Sequence, residues 1–100
     1  MILVRNIFRL KFGKAREAVA VWKEGLAIAK KAGFGSAPVR LLTDLTGPAY
    51  TLVMEITHED LNDFERTSKK VMSAPEWKSW YQKFVPLVES GDREIFSIVE

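Results

Sequence analysis

The sequence predicts an α+β domain: a four-stranded antiparallel sheet with helices on one face, its elements in the order β-α-β-β-α-β. Three observations predict it. Residues 2–12 alternate: Ile2, Val4, Asn6, Phe8, Leu10 and Phe12 point one way, and Leu3, Arg5, Ile7, Arg9 and Lys11 the other, which is the period of a strand. Residues 15–32 repeat polar pairs every seven positions, which is the period of a helix. An aromatic arm over residues 73–94 carries two of the three Trp, a Tyr and a Phe at helical spacing, so the largest apolar side chains must dock on a sheet.

Taken in order, the first strand, Ile2 to Phe12, ends at a Gly13-Lys14 turn. The helix from Ala15 to Ala32 places Arg16/Glu17, Lys23/Glu24 and Lys30/Lys31 outward and Ala18, Val19, Trp22, Leu26 and Ala29 inward. Gly25 in mid-helix costs about 1 kcal/mol against Ala, which implies close packing there. Gly33 closes the helix. Strands at Val39–Thr46 and Ala49–Thr57 flank a Gly47-Pro48 turn and form a hairpin. Thr57 and Asp60 mark a helix start, and Leu61, Phe64 and Val71 give that helix its apolar stripe to about Met72. In the arm, Ser73 and Glu76 read as a capping box with Pro75 in the first turn. Trp77, Trp80 (or Tyr81), Phe84, Leu87 and Val88 form its apolar face, Pro86 kinks or ends the helix and Gly91 stops it. Glu94 to Val99 is the fourth strand.

This order is the ferredoxin-like arrangement. Its helices cover one sheet face, and the other is expected to be polar if it meets water. Here both faces carry apolar residues: Leu3 and Ile7 stand against Val4, Phe8 and Leu10, and Ile95 and Val99 against Phe96 and Ile98. The expectation is a homodimer, two copies packed sheet to sheet as a closed or nearly closed barrel with helices outside.

Composition bounds the function classes. One hundred residues make one domain, 1–100, whose folding buries roughly 60–65% of its surface. Basic residues number 15 and acidic residues 13, for a net charge of +2, and the basic ones are dispersed. That argues against a nucleic-acid footprint. The stretch Ile2–Ile7 echoes the first signature of RNA-recognition domains but lacks the stacking aromatic. With no Cys there is no disulfide, thiol nucleophile or thiolate metal site. No apolar run spans a bilayer and no leader is evident, so the expectation is a cytoplasmic protein with no membrane partner. Neither a phosphate-cradling loop, a dinucleotide fingerprint nor a Ser/His/Asp set is present, and no cofactor is expected.

Several local matches carry a family resemblance. They are Leu10-Lys11-Phe12-Gly13-Lys14 leading into the first helix, Trp22 within it, and Pro75-Glu76-Trp77 with Trp80, Phe84, Pro86, Leu87 and Gly91-Asp92-Arg93-Glu94-Ile95. With the element order, they make the chain similar to the NIPSNAP-like branch of the dimeric α/β-barrel superfamily. Phe12 stands where that branch often has Pro. The resemblance implies a homodimer but brings no agreed catalytic residues. Superfamily relatives include cofactor-free quinone-forming monooxygenases and haem-degrading enzymes, as well as proteins without established activity, so whether this chain is an enzyme stays open.

Five residues are candidates for a ligand site. Asn6 is a polar residue in an apolar row, and a buried amide must bond backbone, water or ligand. In related monooxygenases and haem-degrading enzymes an Asn on the first strand polarises a bound aromatic substrate or oxygen species. His58, the single His, reads as a general base or axial haem ligand at a pocket mouth, or as a solvated residue at a helix start. Trp77 and Tyr81, with Trp80, read as the lining of an aromatic slot or as ordinary core. Arg40 reads as the partner of an anionic ligand or of Asp44. Three functions remain: a homodimeric binding protein holding a small apolar or aromatic ligand between sheet and helices, a cofactor-independent monooxygenase of polycyclic phenols, and a haem-degrading enzyme.

Overall fold

A computed structural model covers residues 1–100. Its elements are β1 (Ile2–Leu10), α1 (Ala15–Ala29) continued by a π-helical turn (Lys30–Phe34), β2 (Val39–Thr43), β3 (Thr51–His58), α2 (Leu61–Met72), α3 (Pro75–Phe84), a 3₁₀ turn (Val85–Leu87) and β4 (Val88–Ser97). The four strands form one antiparallel sheet in the order β2-β3-β1-β4, the ferredoxin-like arrangement that the element order predicts. No helix is long and apolar enough to cross a membrane.

Antiparallel register fixes which residues share a face. Val4 pairs with Ile56 and Ile95, Asn6 with Met54 and Arg93, and Phe8 with Leu52 and Gly91. These residues face the helices. Leu3, Arg5 and Ile7, with Val53, Glu55, Leu42 and Phe96, take the opposite, open face. The core is the single interface between sheet and helices. Val4, Leu10, Leu52, Met54 and Ile56 meet Ala18 and Trp22 of α1 and Trp80 and Phe84 of α3 there.

The contact between α1 and α3 is close. Ala18, Trp22, Gly25 and Ala29 recur every three or four residues and make the buried face of α1. Trp80 lies flat against Gly25: a Cβ on Gly25 would come within 2.4 Å of Trp80 Cε2. The Trp80 indole N–H donates to the carbonyl of Val21. Trp22 stacks on Trp80 at 4.5 Å and on Phe84 at 5.1 Å, with Phe8 edge-on to Trp22.

The structure corrects several element boundaries. No capping box opens α3. Its N-cap is Ala74, Pro75 fills the first position, and the Ser73 hydroxyl donates back to Lys70 O at the end of α2. The two helices abut with two residues between them, so the Ser73 side chain serves the helix behind it. Gly91 lies inside β4, which starts directly after the 3₁₀ turn at Pro86 and runs to Ser97. Pairing with β1 extends this strand six residues ahead of the expected start. The hairpin loop is longer than expected because the β2–β3 ladder opens after Thr43, where Asp44 accepts a bond from the Thr51 N–H. α1 ends through the π-helical turn and Gly35, at φ 58, instead of at Gly33. Gly33 remains helical and backs onto α2, where a Cβ would meet Thr67 O at 2.8 Å.

The start of α2 is secured by two carboxylates. Asp60 is the N-cap and accepts from the Asp63 N–H at 2.8 Å. Asp63 Oδ2 accepts from the Glu59 N–H and lies 3.3 Å from His58 Nδ1, and its Oδ1 accepts from Arg66. The Glu59 backbone N–H, then His58 and Arg66, hold the Asp63 carboxyl below its ordinary value of 3.8, against the opposing effect of desolvation.

Two outcomes follow. Gly25→Ala gains about 1 kcal/mol of helix propensity but must displace a ring with no free space. Overpacking of that kind costs roughly 1–3 kcal/mol, so urea denaturation followed by circular dichroism shows a net loss. A gain would show that Trp80 can shift. Asp63→Asn lowers stability at neutral pH by about 1 kcal/mol, the scale of one charge-assisted bond near the surface. Because the folded carboxyl titrates below the unfolded one, Asp63 contributes fully above pH 3.8 and loses its contribution as pH falls through the lowered folded value. The wild-type and variant curves therefore converge in acid, and parallel curves down to pH 2 would contradict this.

Candidate functional site

On the helix-facing side of the sheet, α3 is held over α1 and leaves β4 largely uncovered. The space between α2, α3 and the β1–β4 half of the sheet is a groove of about 840 Å³. This is the size of sites that take small organic molecules. Phe8 and Asn6 of β1 form its floor, Phe64 of α2 and Trp77 and Tyr81 of α3 its walls, and Arg93 of β4 its far side. Trp77 is half-buried and in ring contact with Trp22 and Trp80, while Tyr81 is exposed at the rim.

The polar part of the groove is a pair. Arg93 lies directly across the β1–β4 ladder from Asn6 and donates from Nε to Asn6 Oδ1 at 2.9 Å. Its guanidinium carbon stands 5.2 Å from the centre of the Phe64 ring. The amide oxygen of Asn6 is thus satisfied within the protein, and its amide N–H groups stay free to donate. The Trp22 indole N–H, in the groove wall, is buried without an acceptor.

Of the five candidate residues, the structure brings together Asn6, Trp77 and Tyr81. The other two lie elsewhere. Arg40 is on the open face of the sheet, and its partner is Glu55, directly across the β2–β3 ladder, with Arg40 Nη2 2.6 Å from Glu55 Oε1. The expected Arg40–Asp44 pair does not form, because β2 ends at Thr43 and Asp44 turns to the Thr51 N–H. His58 is neither solvated nor at the groove mouth. It is 3% exposed, with its ring against the edges of Phe34 and Phe64 and Nδ1 toward Asp63. Its Nε2 is buried and unpartnered. An imidazole packed this way does not fit the role of an axial haem ligand in the groove. No three His, Cys, Asp or Glu side chains gather into a metal-holding group.

Arg93 is the groove residue that the sequence reading missed. Gly91 reads there as a helix stop, which puts Arg93 in a loop. Once β4 starts at Val88, the period-2 rule sets Gly91, Arg93 and Ile95 on one face, and pairing with β1 sets Arg93 beside Asn6.

The family model for NIPSNAP matches residues 5–100. Among curated protein sequences, none matches the chain. Solved structures do. An uncharacterized NIPSNAP domain protein from Burkholderia xenovorans superposes with a TM-score of 0.89 at 19% identity, covering 99% of this chain and 95% of its own. A NIPSNAP family protein with unknown function from Agrobacterium tumefaciens str. C58 gives a TM-score of 0.87 at 25% identity, covering 96% and 86%. SnoaB, a cofactor-independent oxygenase from Streptomyces nogalater, shares the fold with a TM-score of 0.73 at 15% identity, covering 99% and 93%. The match over residues 5–100 places the chain in one family: it belongs to NIPSNAP.

Proposed function

We propose that the protein is a homodimer that binds a small planar aromatic molecule in the groove between α2, α3 and the sheet, with the two copies joined through the open faces of their sheets. The groove carries the binding half of this reading. A concave site of about 840 Å³ walled by Phe8, Phe64, Trp77 and Tyr81, with Asn6 at its floor, offers aromatic faces for stacking and few polar groups for orientation.

Surface area supports the dimer. A folded monomer of 11.4 kDa exposes roughly 5,800 Å² by the usual scaling. This chain exposes 6664 Å². The excess is on the order of 900 Å², close to the roughly 800 Å² that each partner buries in a standard interface. The open face displays Leu42 and Phe96, 37% and 48% exposed, beside the half-buried Leu3 and Ile7. A charge row crosses it: Arg40, Glu55, Arg5 and Glu94, one from each strand, with Arg5 Nε 3.0 Å from Glu55 Oε2 and Nη1 3.4 Å from Glu94 Oε1. The alternation plus, minus, plus, minus is its own complement. A two-fold axis along the strands, between β3 and β1, reverses the row and sets each charge over an opposite one, which suits an isologous interface.

A second reading is a cofactor-independent monooxygenase of phenols. The observation that favours it is the Asn6 amide N–H, which faces an aromatic groove from the first strand and can donate to a phenolic oxygen. Oxygen uptake with an anthrone-type phenol, abolished by Asn6→Ala, supports it, and its absence in the wild type removes it.

Light scattering at micromolar concentration gives twice the 11.4 kDa chain mass, and Ile7→Glu halves it while far-ultraviolet circular dichroism is kept. A single-chain mass for the wild type contradicts the dimer. Neutral 2-naphthamide quenches tryptophan fluorescence saturably, and Trp77→Leu weakens it about tenfold, the equivalent of one aromatic contact. Identical affinity in the variant contradicts the groove.

A further inference from the structure

We infer that the groove selects aromatic carboxylates, with the terminal amino groups of Arg93 as the carboxylate receptor and Asn6 as the residue that aims them. This rests on the proposed ligand groove and adds the charge of the occupant. Three observations carry it.

Arg93 is a cation without an anion. The ion pairs of the chain all lie elsewhere, on the open face and along the helices. Two acidic residues border the groove. Asp92 pairs with Ile7 and so belongs to the other face of the sheet, and Glu89 lies where the β1–β4 register shifts beyond Arg9. Neither reaches Arg93.

The guanidinium is also held in place. Asn6 Oδ1 takes Nε, and the Phe64 ring lies under the guanidinium plane. With Nε occupied, the two Nη groups remain, and they offer the end-on fork that a carboxylate accepts in bidentate fashion. A lysine there would supply charge without that geometry.

The groove holds further donors beside Arg93. The Asn6 amide N–H groups are free, and Lys78 stands at the wall without a carboxylate partner. Free donors beside an unpaired guanidinium are matched by a ligand that brings oxygen acceptors. The hydrocarbon part of the ligand then lies where the site is apolar, against Phe8, Trp77 and Tyr81.

The test compares two ligands of one shape, 2-naphthoate and 2-naphthamide, by fluorescence titration of the full-length protein at pH 7. The wild type binds naphthoate about tenfold more tightly, the worth of one charge-assisted fork in a half-open site. Arg93→Gln brings the ratio of the two affinities to about one, and Arg93→Lys recovers part of it. In the wild type the naphthoate affinity falls with added salt while that of naphthamide does not, a readout that needs no variant to fold. Equal affinities in the wild type, or a preference that survives Arg93→Gln, overturn the inference and leave the aromatic groove standing. Saturable binding of neither probe removes both.

Discussion

The seating of Trp80 on Gly25 is the constraint on which the rest of the structure depends. A chain of this size has room for few large side chains in its core, and three of them meet here: Trp22, Trp80 and Phe84, stacked in near-parallel planes. Burying aromatics of this size contributes a few kcal/mol each, a large share of the net stability of a small domain. The missing side chain at position 25 lets the indole approach the helix backbone, and its N–H finds the Val21 carbonyl. α3 is thereby fixed to α1, above β1 and β3, and is not free to lie across β4.

The groove is the consequence. Because α3 is committed to α1, it does not cover the helix-facing residues of β4, and Ile95 stays 40% exposed even on the covered side of the sheet. Arg93 and Asn6 face that space with the outer edges of Trp77 and Tyr81. The aromatic arm thus serves two ends. Trp80 and Phe84 point into the core, whereas Trp77 and Tyr81, three residues before and one after Trp80, turn to the groove. The open face obeys the same alternation with opposite content: its apolar residues flank the row Arg40, Glu55, Arg5 and Glu94, a mixed composition that the proposed dimer would use.

The parts of the fold legible in the sequence were those that periodicity controls. The alternation of β1, the seven-residue repeat of α1 and the Trp77–Phe84 spacing are local patterns, and each sits where it was expected. Gly25 signalled close packing because a mid-helix glycine is costly without a reason. Boundaries set by tertiary pairing were not legible. Gly91 and Ser73 carry helix-end chemistry in a linear reading, yet β1 claims the first for a strand and α2 claims the second for its own last turn. The site shows the same division. Asn6, Trp77 and Tyr81 were visible as a polar residue out of place and aromatics in surplus. Arg93 was hidden because its role depends on the partner opposite it. His58 and Arg40 drew attention by residue type, but the fold places one under aromatic rings and the other on the opposite face.

The claim that the aromatic arm is an integral part of the core, and so determines where the groove lies, is tested most directly by equilibrium unfolding in urea with two probes at once. Tryptophan fluorescence reports on α1 and α3, where all three Trp reside, and far-ultraviolet circular dichroism reports on the whole fold. The account predicts one coincident transition, because the core under the sheet loses Trp80 and Phe84 when the arm leaves. A fluorescence transition that precedes loss of the dichroism signal, with the sheet surviving the release of α3, would contradict it.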